Sequence, residues 1–192
     1  SYNIASACAT GTHSIATGAL MIEAGEADVM VVGGSEAATR LNTVAGFGNA
    51  RALGRSVDGD PTKTSRPFDK KRTGFVMGEG AGALVLESEQ SATARGAKIL
   101  ARVSGFGMTT DGDHLTRPHS EGTGLRLAIE RAIARAGLQP SDIGYINPHA
   151  TSTQQGDVAE YLALKYVFGE RLRSIPVSAT KSMLGHLLGG DR

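Results

Sequence analysis

The chain has 192 residues, 40% hydrophobic and 20% charged, a balance that suits a folded globular protein and excludes a disordered one. Twenty basic side chains against nineteen acidic ones leave +1, which argues against nucleic acid as a partner. Apolar runs such as 29–32 and 83–86 are too short to span a bilayer, and one cysteine excludes an internal disulfide framework and suits a reducing compartment, either a bacterial cytoplasm or an organelle interior.

The first element in chain order is a buried strand over residues 2–6, followed by a turn of small residues and a helix over 11–24. Ile15, Ala19 and Ile22 share one side of that helix, a spacing that suits burial. A second strand covers 28–32 and ends in Gly33-Gly34; an irregular stretch runs from there to Arg72. Strands are expected at 74–77 and 81–87, and the alternate glycines Gly78, Gly80 and Gly82 read as close strand packing. A helix over 88–95 stops at Gly96, and 98–108 alternates in strand fashion. The clearest helix covers 121–136, with Leu125, Ala128, Ile129, Ala132 and Ile133 as its apolar stripe and Gly137 as its cap. A strand at 143–147 and a helix at 155–168 follow. Alternating strands and helices predict an α/β architecture with partly parallel, covered sheets.

Chemistry concentrates at a few junctions. Cys8, in Ser6-Ala7-Cys8-Ala9-Thr10-Gly11, lies between a strand and a helix among small neighbours that leave room for a substrate beside the sulfur. A helix N-terminus just beyond it favours the thiolate, the nucleophilic form. The competing reading is a small buried hydrophobe. His149 follows a strand and precedes the hydroxyl-rich Thr151-Ser152-Thr153, and His186 sits between glycines in Lys181-Ser182-Met183-Leu184-Gly185-His186. Each alone reads as structural or exposed; a Cys with two such His residues fits acyl transfer, which needs a nucleophile and hydrogen-bond donors. His13 and His119 receive no role. No His-Glu-x-x-His and no paired Cys support a metal, and the phosphate-loop and dinucleotide fingerprints are absent.

As a set, Ala-Cys-Ala-Thr-Gly around Cys8, Asn-Pro-His-Ala-Thr-Ser-Thr around His149 and Lys-Ser-Met-Leu-Gly-His from Lys181 to His186 resemble the three signatures of the elongating β-ketoacyl-[acyl-carrier-protein] synthases, type II. The segments 72–82 and 114–118 also look like family segments, and the likeness runs from Ser1 to Gly190. It implies a thiolase-like α/β fold of αβαβα layers, present in part. Residues 1–88 correspond to the end of the N-terminal half with Cys8, and 89–192 to part of the C-terminal half with the two histidines. The chain is therefore expected to be truncated at both ends and inactive by itself.

The resemblance implies a ping-pong decarboxylative condensation. Cys8 takes the acyl group, and His149 and His186 stabilise the enolate of malonyl-carrier protein. Lys181 orders the histidine pair, with Glu160 as its carboxylate partner. Thr151 and Thr153 hold the phosphopantetheine arm, with Thr116 a weaker candidate, and capping of the following helix is the bland alternative for the first two. Arg51 stands where the family has a carrier-protein docking arginine. It opens a run of seven basic residues (Arg51, Arg55, Lys63, Arg66, Lys70, Lys71, Arg72) that reads as a docking patch for an acidic carrier or as a solvated loop. The family needs no cofactor, works as a homodimer with acyl carrier protein, and uses neither membrane nor nucleic acid. Ala150 stands where the family commonly has Gly, a strain of about 1 kcal/mol if the position needs positive φ. A polyketide ketosynthase, a non-catalytic chain-length or dimerisation partner, and a Cys–His hydrolase are the alternatives. Cys8 argues against the partner, and the second histidine with Lys181 argues against the hydrolase.

Overall fold

The computed structural model describes residues 1–56 and 58–191; Val57 and Arg192 lie outside the described residues. In chain order the elements are α1 (Thr10–Glu23), β1 (Val29–Glu36), α2 (Leu41–Asn49), β2 (Gly80–Glu87), α3 (Glu89–Ala94), α4 (Thr123–Arg135), α5 (Gln154–Phe168) and α6 (Lys181–Leu184), with short 3₁₀ turns between some of them. They form two compact units. The first takes Ser1–Ala38, Gly78–Ser104 and the residues from Leu187 on; the second takes Thr39–Met77 and Gly105–His186, so each draws on both sides of residue 88.

In the first unit β1 and β2 pair antiparallel, from Val29 opposite Glu87 to Glu36 opposite Gly80. α1 lies against β1 because Gly18 carries no side chain: a Cβ there would meet Val32 Cγ1 at 2.4 Å. Small residues therefore make its buried face, Ala16 and Ala19 beside Gly11 and Gly18, whereas Ile15 and Ile22 of the expected stripe are only half-buried. β1 runs through Gly33-Gly34 instead of ending there, since both glycines admit close backbone neighbours, Gly82 on one and Gly189 on the other. Gly80 is packed as expected, with Leu187 in its Cβ space; Gly82 has open space there.

The second unit is built around α4 and α5. Ile133, Leu164, Phe168 and Ile175 form its buried centre, with Ile129, Ile143, Ile146, Val167 and Leu172 against it. Leu125, assigned to the stripe of α4, is exposed instead. The four longest predicted helices lie within two residues of their expected bounds, and Gly96 and Gly137 follow their helices in the left-handed conformation. α2 falls in the stretch read as irregular: it has no side-chain cap and carries Gly46 and Gly48, so it lacks the usual signals.

The strands expected at 2–6, 74–77, 98–108 and 143–147 form no ladder among the described residues. Parallel pairing survives as three isolated bridges, Leu53 with Phe75, Met77 with His186 and Ile146 with Val177. The sheet that forms is antiparallel, and Val31 and Val85 on it are 74% and 65% exposed, so the covered, partly parallel sheets predicted from the sequence are not seen within these residues. An apolar run specifies a strand only where a neighbouring strand takes its hydrogen bonds. Among the described residues no helix is long and apolar enough to cross a membrane.

Candidate active site

In the first unit Cys8 occupies the middle of the 3₁₀ turn Ala7–Ala9 that leads into α1. The turn is sharp: Ala7 has φ 50°, Ala9 N–H donates to Ser6 C=O at 3.1 Å, and Thr10 Oγ1 donates to Ala7 C=O at 2.8 Å. Small side chains on both sides permit that turn and leave the thiol half-buried at the head of a helix.

The second unit holds both histidines. His149 lies on the turn between Pro148 and α5, and its shape is set from the helix. Glu160 accepts the N–H of His149 at 2.5 Å and that of Ala150 at 2.8 Å. Asp157, one helical turn earlier on the same face, accepts the N–H of Ser152 at 3.1 Å and of Phe68 at 2.6 Å. Burial pushes the Asp157 carboxyl above its usual range, against the two N–H donors and the Arg72 guanidinium, which pull it down. Ala150 and Ser152 take φ 45° and 69°, so the position where the family commonly has Gly is left-handed here.

His186 is 2% exposed and follows Gly185, itself at φ 78°. Its N–H donates to Val76 C=O at 2.7 Å, and its ring stands edge-to-face on Phe75 at 5.2 Å between centroids. The His149 ring meets it at 5.3 Å and 86°, closing a row of Phe47, Phe75, His186 and His149. Two imidazoles are thus brought together from segments 37 residues apart in sequence (186 − 149), one backed by aromatic rings and the other by a carboxylate.

Lys181 opens α6 and is buried, 6% exposed, and its C=O accepts the Ser65 hydroxyl at 3.4 Å. Glu160 is buried as well, at 7%. The Thr151 and Thr153 hydroxyls lie 3.0 Å apart. Thr153 is the N-cap of α5 but its side chain makes no capping bond, and Gly156 leaves the space its hydroxyl occupies. Thr116 is exposed on a loop, where its N–H donates to His114 Nδ1 at 3.1 Å. Arg51 is exposed just past α2, at φ 54°.

The basic run divides. Arg51, Arg55, Lys63, Lys70 and Lys71 are exposed, whereas the side chains of Arg66 and Arg72 turn inward, 19% and 14% exposed. Both are held by backbone carbonyls, Arg66 by Lys63 and Arg72 by Asp69, Thr153 and Gln154. Net charge along a loop carries no sign of which cations a neighbouring helix start will draw in. Asp157 and Phe75 also escaped the sequence reading as site residues; the signal available for Asp157 was its three-residue spacing from Glu160 on one helix face.

The model of the β-ketoacyl synthase N-terminal domain matches residues 1–92, and that of the C-terminal domain matches residues 100–191. The chain belongs to the β-ketoacyl synthase family. It is 52% identical over 187 residues to 3-oxoacyl-[acyl-carrier-protein] synthase 2 of Vibrio cholerae, covering 97% of this chain and 45% of that protein. It is 49% identical to the mitochondrial 3-oxoacyl-[acyl-carrier-protein] synthase of Arabidopsis thaliana, covering 95% of this chain and 40% of that one. Among solved structures, a β-ketoacyl synthase from Burkholderia phymatum superposes with TM-score 0.90 at 42% identity, over 97% of this chain and 44% of its own. A type II polyketide ketosynthase in complex with its acyl-carrier protein gives 0.94 at 35% identity, over 98% of this chain and 46% of its own. The fold is therefore the thiolase-like α/β fold of the ketosynthases, and the chain spans a little under half the length of the relatives it matches.

Proposed function

We propose that the full-length protein is an elongating β-ketoacyl-[acyl-carrier-protein] synthase of fatty-acid synthesis. The observation that carries this reading is the pair of imidazoles, His149 and His186, edge-to-face at 5.3 Å on two turns of one unit. A hydrolase needs one base and an orienting group for it; two adjacent ring donors suit an oxyanion. The Cys8 thiolate attacks an acyl thioester on carrier protein, forming a new thioester and releasing the carrier thiol. Malonyl-carrier protein then loses carbon dioxide: the C–C bond breaks, and its electrons pass into an enolate whose oxygen accepts hydrogen bonds from His149 and His186. The enolate carbon attacks the Cys8 thioester carbonyl, and the thiolate leaves, giving β-ketoacyl-carrier protein. No cofactor enters the balance.

Lys181 orders the histidine pair, Glu160 fixes the turn of His149, Thr151 and Thr153 meet the phosphopantetheine arm with Thr116 a weaker candidate, and Arg51 with the exposed cations meets the acidic carrier. The working protein is a homodimer. The relatives at 49–52% identity are named 3-oxoacyl-[acyl-carrier-protein] synthases, and the type II polyketide ketosynthase stands at 35%, which favours fatty-acid elongation over polyketide assembly. Partner subunits of the chain-length-factor kind need no nucleophile, and Cys8 speaks against that role.

The test is intact-mass analysis of the full-length protein with acyl-carrier protein, then with malonyl-carrier protein. An adduct on Cys8 that discharges with carbon dioxide into a β-ketoacyl product is expected. An adduct that only hydrolyses, or none from folded protein, rejects the proposal.

A further inference from the structure

We infer that Arg72 is a positioning residue for the decarboxylation step, holding the turn that carries His149, and not part of the carrier-protein docking surface. The inference rests on the function proposed above. By sequence Arg72 is the last member of the basic run, yet its side chain is 14% exposed. Its Nε donates to Thr153 C=O at 2.9 Å and lies 3.5 Å from Asp157 Oδ2. Its Nη1 donates to Asp69 C=O at 3.0 Å, and its Nη2 donates to Gln154 C=O. Each of the three guanidinium nitrogens thereby donates to a backbone carbonyl of segment 66–72 or of the start of α5.

Further bonds join the same two segments. Asp157, its side chain 1% exposed, accepts from both Phe68 N–H and Ser152 N–H, and Arg66 N–H donates to Ser152 Oγ at 3.1 Å. The turn so held contains two left-handed residues, Ala150 and Ser152. Such residues are strained and persist only where their surroundings over-determine them. Glu160 fixes the first part of the turn, at His149 and Ala150; Arg72 and Asp157 fix the second, at Ser152 to Gln154. Without Arg72, Asp157 loses its buried cation and the carbonyls of Thr153 and Gln154 lose their side-chain donors, so the turn relaxes and carries His149 with it.

The chemistry requires arginine. Three donor groups in one rigid plane reach three carbonyls and a carboxylate at once, whereas a lysine ammonium on a flexible stem cannot reproduce the fork. Displacing a catalytic group by about 1 Å costs on the order of 10²-fold in rate. Loading of Cys8 does not use the enolate donors, so the loss falls on decarboxylation.

The test compares Arg72→Ala, Arg72→Lys and the wild type in the full-length enzyme, following two half-reactions with purified carrier proteins: acylation of Cys8 by intact mass, and carbon dioxide release from malonyl-carrier protein. Both variants are expected to lose about 10²-fold in decarboxylation, the scale of a misplaced donor. Acylation and the KM for carrier protein stay within about twofold, and guanidinium added well below denaturing concentrations restores part of the Arg72→Ala rate. A wild-type decarboxylation rate in either folded variant overturns the inference. So does a raised KM with unchanged kcat, which marks a docking residue, or an equal fall in both half-reactions without rescue, which marks a general structural one. If Arg72→Ala does not fold, Arg72→Lys decides by the two half-reactions and the KM. A wild type that releases no carbon dioxide instead rejects the proposed function, a separate result.

Discussion

Replacing Glu160 separates its role as a backbone acceptor from its charge. Its two carboxylate oxygens accept the N–H groups of His149 and Ala150, at 2.5 and 2.8 Å, in a site where Glu160 is 7% exposed. A hydrogen bond to a charged group contributes about 1.5–3 kcal/mol, so Glu160→Ala, which removes both acceptors, costs about 3–6 kcal/mol. Glu160→Gln keeps one acceptor oxygen but turns an NH₂ toward the other N–H, a donor against a donor, and loses about half as much. An N–H at either distance leaves no room for an amide nitrogen, so the amide does not replace the carboxylate as an isostere. The shift per kcal/mol is about 2–4 °C for 150–250 residues and smaller for a longer chain, so in the full-length protein Gln lowers the melting midpoint by roughly a few degrees and Ala by roughly twice that. Urea or thermal unfolding of the full-length protein measures the order, and malonyl decarboxylation is expected to fall in the same order. A Gln variant as stable as the wild type, or an Ala variant no worse than Gln, would refute the account.

Three further outcomes are expected. His149→Ala and His186→Ala each lower malonyl decarboxylation about 10²–10³-fold, the loss typical of one oxyanion donor, while Cys8 acylation by mass is unchanged; a loss in acylation equal to that in decarboxylation contradicts the assignment. Ala150→Gly relieves a left-handed alanine at φ 45°, and after the greater freedom of glycine in the unfolded chain is subtracted it gains on the order of 0.5 kcal/mol in urea unfolding; a loss of stability rejects this. Glu87 is held at about 2 instead of 4.5, by hydrogen bonds from Arg95 and then Ser91. A depressed acid stabilises the fold above its unfolded pKa and loses that contribution as pH falls from about 4.5 toward about 2, so Glu87→Gln flattens the acid limb of stability against pH, and an unchanged slope shows the pair to be inert.

The helices were legible because each leaves a local record: a period in its apolar residues and a glycine in the left-handed region just past α3 and α4. α2 left none, being short, uncapped and glycine-bearing. Strands 2–6 and 143–147 were misjudged because pairing is a long-range property: Ile146 finds only an isolated bridge to Val177. At the site, the sequence pointed to the imidazoles by their glycine-rich and hydroxyl-rich neighbours. It could not point to Phe75 behind His186 or to Arg72 behind the His149 turn, since both act through residues more than 80 positions away. Arg66 and Arg72 turn inward unannounced, because a cation counted along a loop says nothing of the carbonyls that face it, whether three residues away at Lys63 or 81 away at Thr153.

The left-handed pair at Ala150 and Ser152 turns the backbone N–H groups of the His149 turn inward, toward α5, where Glu160 and Asp157 take those of His149, Ala150 and Ser152. A concave run of N–H groups of this kind elsewhere binds phosphate or another free anion; here the chain supplies its own anions from a single helix face. Laboratory evolution along α5 should therefore show a sharp rhythm of tolerance. Gln155, Val158, Tyr161 and Lys165 are exposed within these residues and are expected to tolerate more exchange. Positions 157 and 160, interleaved among them, will accept almost nothing, since any change there is felt in the turn that carries His149.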